Sequence, residues 1–141
     1  MDQKLVKDLE TTVSRLLGAW WQDDRRNWCA YCGIPMRKRH PQGTPLPSTR
    51  ATRDHVIPRA HKGGLVTIPA CRGCNATKGA RSLPEFICSE EFESLRKNRH
   101  RHQWPVDQLW AVAGLASLRK AAALCARDAV PSKVATSDRI R

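Results

Sequence analysis

The chain has no uninterrupted apolar run long enough to cross a bilayer. Its longest apolar-rich stretch, Val106 to Ala126, is broken by Asp107, Arg119 and Lys120, whereas a spanning helix needs about 20 consecutive apolar residues. It also lacks the pattern of a secretory leader, since Met1 is followed by Asp2 and a mixed-charge, helix-patterned segment rather than a positive stretch leading into an apolar one. The expected location is therefore the cytoplasm, where cysteines serve as metal ligands or buried thiols rather than as disulfides. There is no internal repeat beyond two Cys pairs, and at 141 residues the expectation is one modest domain rather than two. Acidic residues are few: 13 Asp and Glu face 25 Lys and Arg, a formal net charge of +12. Such a balance favours a polyanionic partner, because each cation set against a phosphate releases condensed counterions. No helix joins a basic face to a dense aromatic one, so a membrane surface stands well behind nucleic acid.

What is present is organised by spacing. From Gln3 to about Trp21 the residues Leu5, Val6, Leu9, Val13, Leu16, Leu17 and Trp20 recur at three- and four-residue steps, which predicts an amphipathic helix packed on a metal core. Trp28-Cys29-Ala30-Tyr31-Cys32-Gly33 reads as a tight knuckle, with Gly33 where a turn needs positive φ. Pro41, Gly43, Pro45 and Pro47 mark an exposed loop. Arg50 to Ile57, rich in β-branched residues and ended by Pro58, predicts a strand. Gly63-Gly64 predicts a turn, Leu65 to Ile68 a second strand, and Arg72 to Ala80 a helix, which together make a ββα unit. Ser82-Leu83-Pro84-Glu85 is a capping-box pattern opening a helix to about Leu95. A basic stretch, Arg96 to His102, then leads to a final helix from Val106 to Ala129. The expected organisation is an N-terminal helical segment (1–27), a finger (28–81), C-terminal helices (82–130) and a disordered basic tail (131–141).

Cys29-x-x-Cys32 and Cys71-x-x-Cys74 are two pairs of soft ligands with 38 residues between them. Four thiolates suit a closed, tetrahedral, structural zinc site with no position left for water. Cys88 and Cys125 have no partner at ligand spacing and read as small core residues. Trp20, Trp21, Trp104 and Trp110 read as filling between helices. Asp54 and His55 are adjacent, and on a regular strand neighbours face opposite ways, so they share a site only where the strand bends or ends. A hard oxygen ligand beside an imidazole able to take a proton near neutral pH suits water-driven cleavage of a phosphodiester. Asn75 and Lys78 stand three apart on the predicted helix, hence on one face, as an oxygen donor and a point charge for phosphate.

In order, Cys29-x-x-Cys32, Asp54-His55-Val-Ile-Pro58, Gly63-Gly64 and Pro69-Ala-Cys71-x-x-Cys74-Asn75-x-x-Lys78-Gly79 resemble the HNH endonucleases, over about residues 28 to 81. The resemblance implies an α+β fold: a small zinc-stapled ββα-metal finger flanked by N- and C-terminal helices. It implies His55 as general base, Asp54 and Asn75 as ligands of one catalytic divalent ion such as Mg²⁺, and Cys29, Cys32, Cys71 and Cys74 as ligands of structural Zn²⁺. The implied partner is DNA, double-stranded, cut by the monomer, by a homodimer or within a larger nuclease complex. Arg59, Lys62, Lys78 and Arg81 flank the motif and are the expected phosphate contacts. One position departs from the pattern: Val66 stands where the family usually has a middle Asn that secures the loop beneath the catalytic His. The competing reading is a non-catalytic, zinc-stabilised nucleic-acid-binding protein with a vestigial site.

Overall fold

The chain runs extended from Ala51 to His55 (β1) and from Thr67 to Cys71 (β2), as β-branched residues flanking turn-formers dictate. The two strands pair antiparallel, from Ala51 opposite Cys71 to His55 opposite Thr67. The computed structural model describes residues 3–57 and 66–129, with side chains to residue 125. The Gly63-Gly64 turn, Arg59, Lys62 and the basic tail lie outside the described residues. The second strand does not end at Ile68 as expected but continues through Pro69. The ladder tolerates this proline because its edge turns away from β1: the Pro69 carbonyl accepts instead from the Ala30 N–H at 2.9 Å. That bond ties the first cysteine knuckle to the sheet.

Cys71 ends β2 and caps α2 (Arg72–Lys78), its sulfur accepting from the Cys74 N–H. Helix α1 (Gln3–Leu17) stops where Gly18 takes φ 68° and its N–H returns to the Ser14 carbonyl. Two 3₁₀ turns, Trp20–Gln22 and Asp24–Asn27, carry the chain to the knuckle. The expected helix from Ser82 to Leu95 is instead two, α3 (Leu83–Ile87) and α4 (Glu90–Leu95). The Ser82–Glu85 capping box forms as expected, but the Ser89 side chain accepts from the Phe92 N–H and starts a new helix. The break lets Phe86 and Phe92 both meet the Tyr31 ring edge-on, with centroids 5.1 and 6.3 Å away. It also leaves Cys88 exposed at the end of α3, and Cys125 is half-buried, so neither is the core residue expected.

The last helix, α5 (Val106–Ala129), spans the predicted range. Helix α1 packs along α5 rather than against the cysteine cluster, with Glu10 and Arg119 3.3 Å apart across the seam. Against one Ala-rich helix only a narrow stripe is covered, so Val6 and Leu17 are buried while Leu5, Leu9 and Leu16 stay exposed. No described helix is long and apolar enough to cross a membrane. The architecture is thus mixed helix with a two-stranded antiparallel sheet, its core running from Tyr31 and Ile68 through Phe86 to Leu109 and Ala116.

The basic stretch after α4 is more than a linker. Arg96 donates to the Tyr31 and Trp104 carbonyls at 3.1 and 2.7 Å, and Trp104 N–H donates to the Ala30 carbonyl at 2.9 Å. His102 stacks on Trp28 with ring centroids 3.6 Å apart. Gly33 lies under this seam at φ 79°, and a Cβ there would stand 2.6 Å from the His100 Cβ. Gly33→Ala is therefore expected to cost about 1–3 kcal/mol, from backbone strain plus overpacking. Thermal unfolding should show a lower Tm than for Gly43→Ala, where φ is also positive but no atom lies within 4 Å. Equal Tm values for the two variants would show that the seam does not close on Gly33.

Candidate metal centre and active site

The two knuckles bring Cys29, Cys32, Cys71 and Cys74 together with all four sulfurs within 4.8 Å of one another. Cys32 and Cys71, from different knuckles, approach to 3.9 Å. A tetrahedral ion with Zn–S bonds of about 2.3 Å spaces its sulfurs about 3.8 Å apart, so the four fit a metal such as zinc. The thiols already bias one another. A hydrogen bond from Cys32 lowers Cys29 first of all, one with Cys29 lowers Cys71 to about 7, and Cys74 is pushed far above the usual thiol range by hydrogen bonds to Cys29, Cys32 and Cys71. Lowered thiols favour capture of a cation, which binds thiolates.

Beside the cluster, the pleat sorts β1 into two faces. Thr52 and Asp54 turn inward toward α2, whereas Arg53 and His55 share the opposite face. Asp54, 3% exposed, meets Lys78, 1% exposed, with Nζ 3.3 Å from Oδ1. The Tyr31 hydroxyl donates to its other oxygen. Burial, only partly offset by Lys78 and Tyr31, holds the Asp54 carboxyl above its usual range. Burial first, then the Asp54 charge, raises the Tyr31 hydroxyl well above an ordinary phenol. Asn75 lies on the same inner side, its Nδ2 donating to Thr52 Oγ1 at 3.1 Å.

This arrangement corrects several expectations. Asp54 and Asn75 do face one region between β1 and α2, but the Asp54 carboxylate is closed in and already holds an ammonium. A dication there would be set against the Lys78 charge in a dry site, so the pair as placed does not fit a catalytic metal. Lys78, expected at a phosphate, is placed with its stem through the core, reaching Asp54 and, at 3.0 Å, the His55 carbonyl. Arg81 spends its guanidinium on the Lys78 and Thr77 carbonyls at 3.2 and 2.7 Å and on Glu91 at 3.1 Å. Its role is to close α2 against α4, by the C-terminal logic of cations at helix ends. Arg59 and Lys62 lie outside the described residues.

His55 ends β1, half-buried, and among the described residues no group hydrogen-bonds to its ring. Its mounting is rigid. Lys78 holds its carbonyl, and Val56 N–H donates to the Val66 carbonyl while Val56 C=O accepts from the Leu83 N–H, both at 3.0 Å. The loop between residues 57 and 65 is thus closed at its base by backbone, and the Val66 side chain goes into the apolar core.

Tyr31 and Thr52 escape sequence reasoning because a tyrosine between two cysteines and a threonine in a strand carry no pattern of their own. Only the register shows that they meet Asp54 and Asn75.

Comparison with known families matches residues 29–81 to the model described as HNH endonuclease. No curated protein and no solved structure matches the chain.

Proposed function

Because residues 29–81 match the HNH endonuclease family, we propose that the protein is a DNA endonuclease that hydrolyses phosphodiester bonds with His55 as general base. The observation that carries this reading is the family match over the segment whose strand ends in His55, its ring free of hydrogen bonds among the described residues. The imidazole takes a proton from water as the water oxygen bonds to phosphorus and the bond to the leaving deoxyribose oxygen breaks, that oxygen taking up a proton from solvent to leave as a hydroxyl. Holding the backbone at His55 and at its neighbour Val56 serves this step, since a small misplacement of a catalytic group costs a large factor in rate. HNH nucleases use divalent metals, and an ion at the phosphate would supply charge stabilisation there, but the closed Asp54–Lys78 pair as placed does not hold one. The zinc in this reading is structural, closing the finger that carries His55. The net charge of +12 supports DNA as the partner.

Purified protein incubated with supercoiled plasmid and Mg²⁺ or Mn²⁺ is expected to nick or linearise it. His55→Ala should cut about 10²–10⁴-fold more slowly while shifting the DNA in a gel as before. If wild type leaves the plasmid intact, or if His55→Ala cuts as fast, the proposal fails. The closed Asp54–Lys78 pair favours one alternative, a zinc-stabilised DNA-binding protein without cleavage. The same experiment selects it if both proteins shift DNA and neither cuts.

A further inference from the structure

The outer face of β1, which carries Arg53 and His55, opens on two adjoining cavities of about 340 and 250 Å³. They share Trp20, Trp21 and Arg53 as a common wall. Trp20 is buried and fixed, its Nε1–H donating to the Thr67 carbonyl at 3.1 Å, and the Arg53 guanidinium stands 5.9 Å over its ring. Trp21 is held edge-on against Trp20, with centroids 6.0 Å apart, yet is 54% exposed. The tryptophans are therefore not all filling. One is a rigid aromatic plate presented to solvent.

The charged side chains that line the two cavities are all cations: Arg119, which also pairs with Glu10, in the first, and Arg26 and Lys38 in the second. The cavity beside the cysteine cluster, by contrast, is lined by Glu90 and Glu91. Arg53 has no carboxylate partner among the described residues. An exposed indole ringed by cations is the combination that holds an unpaired nucleobase by stacking and its flanking phosphates by charge. A duplex end offers its bases already stacked, and a lipid surface would need a broader apolar face.

We infer that Trp20, Trp21 and Arg53 form a single-strand subsite in which an unpaired base stacks on Trp21 and the backbone follows Arg53 along β1 toward His55. The subsite lies partly outside residues 29–81, since both tryptophans precede the matched segment. It rests on the nuclease reading for its direction toward His55, but its test is one of binding.

The test is fluorescence anisotropy with a labelled oligo-dT and a labelled blunt duplex of equal length. Trp21→Ala is expected to weaken oligo-dT binding about tenfold or more, with a smaller effect on the duplex, and Trp21→Phe to restore most of the loss. Arg53→Gln should weaken both and reduce the magnitude of the salt slope by about one. Unchanged oligo-dT affinity in Trp21→Ala overturns the subsite, and leaves the nuclease reading intact if the plasmid is still cut. Equal weakening for oligo-dT and duplex also overturns it, because a general phosphate surface would then suffice.

Discussion

Stripping the metal from the four-cysteine cluster, by chelation or by Cys74→Ser, is expected to unfold the finger rather than loosen it. Cys29, Cys71 and Cys74 are buried, and each knuckle is bonded to something it cannot hold alone: Ala30 to Pro69, and Cys71 to the start of α2. Without an ion, four sulfurs within 4.8 Å of one another have only weak thiol hydrogen bonds to hold them together. A structural zinc contributes about 10–16 kcal/mol in small peptides, against a net stability of about 5–15 kcal/mol for a whole domain. Loss of the ion is therefore comparable with what keeps the fold together. The checks are one equivalent of zinc released on denaturation and loss of the cooperative thermal transition in the chelated protein. A chelated protein that melts at the wild-type temperature would show that the cluster is only a set of packed thiols.

The second large effect is expected at the buried ion pair. Lys78→Met keeps the stem but leaves the Asp54 carboxylate without its cation in the core, and breaking a buried pair in this way costs about 3–5 kcal/mol. The Tyr31 hydroxyl still donates to Asp54, which sets the loss nearer the lower figure. Adding Asp54→Asn removes the stranded charge and should recover a large part of the stability, because two neutral partners need less solvation than one unpaired ion. Denaturant unfolding of the two single variants and the double gives the coupling directly. Additive losses would mean that Asp54 and Lys78 do not act on one another in the folded chain.

The parts of the molecule legible in sequence are those written as local chemistry. The two Cys-x-x-Cys pairs, the Ser82 capping box, Gly33 at positive φ and the span of α5 all follow from residues within a few positions of one another. The direction of Lys78 was not legible, because Asn-x-x-Lys looks the same whether its lysine meets phosphate or an inward carboxylate. What decides is the register of β1 on β2, which turns Asp54 toward α2. The break between α3 and α4 was hidden for a similar reason. Ser89 inside a helical pattern reads as a neutral surface residue until the aromatic cluster of Tyr31, Phe86 and Phe92 demands a change of direction. Trp21 was misread because burial of a tryptophan depends on its neighbours in space, and Trp20 takes the inner place.

The seam from Arg96 to Trp104 bears on the order in which the chain is made. The carbonyls of Ala30 and Tyr31, inside the first knuckle, receive their donors from residues more than 60 positions later. During synthesis the finger's cysteines leave the ribosome well before those donors do. A metal-bound but unfinished finger would thus exist for seconds at the usual pace of translation, with backbone oxygens still facing water. The basic seam then closes the finger after its cysteines, and α5 follows it against α1, so the chain settles from its middle outward rather than from its beginning.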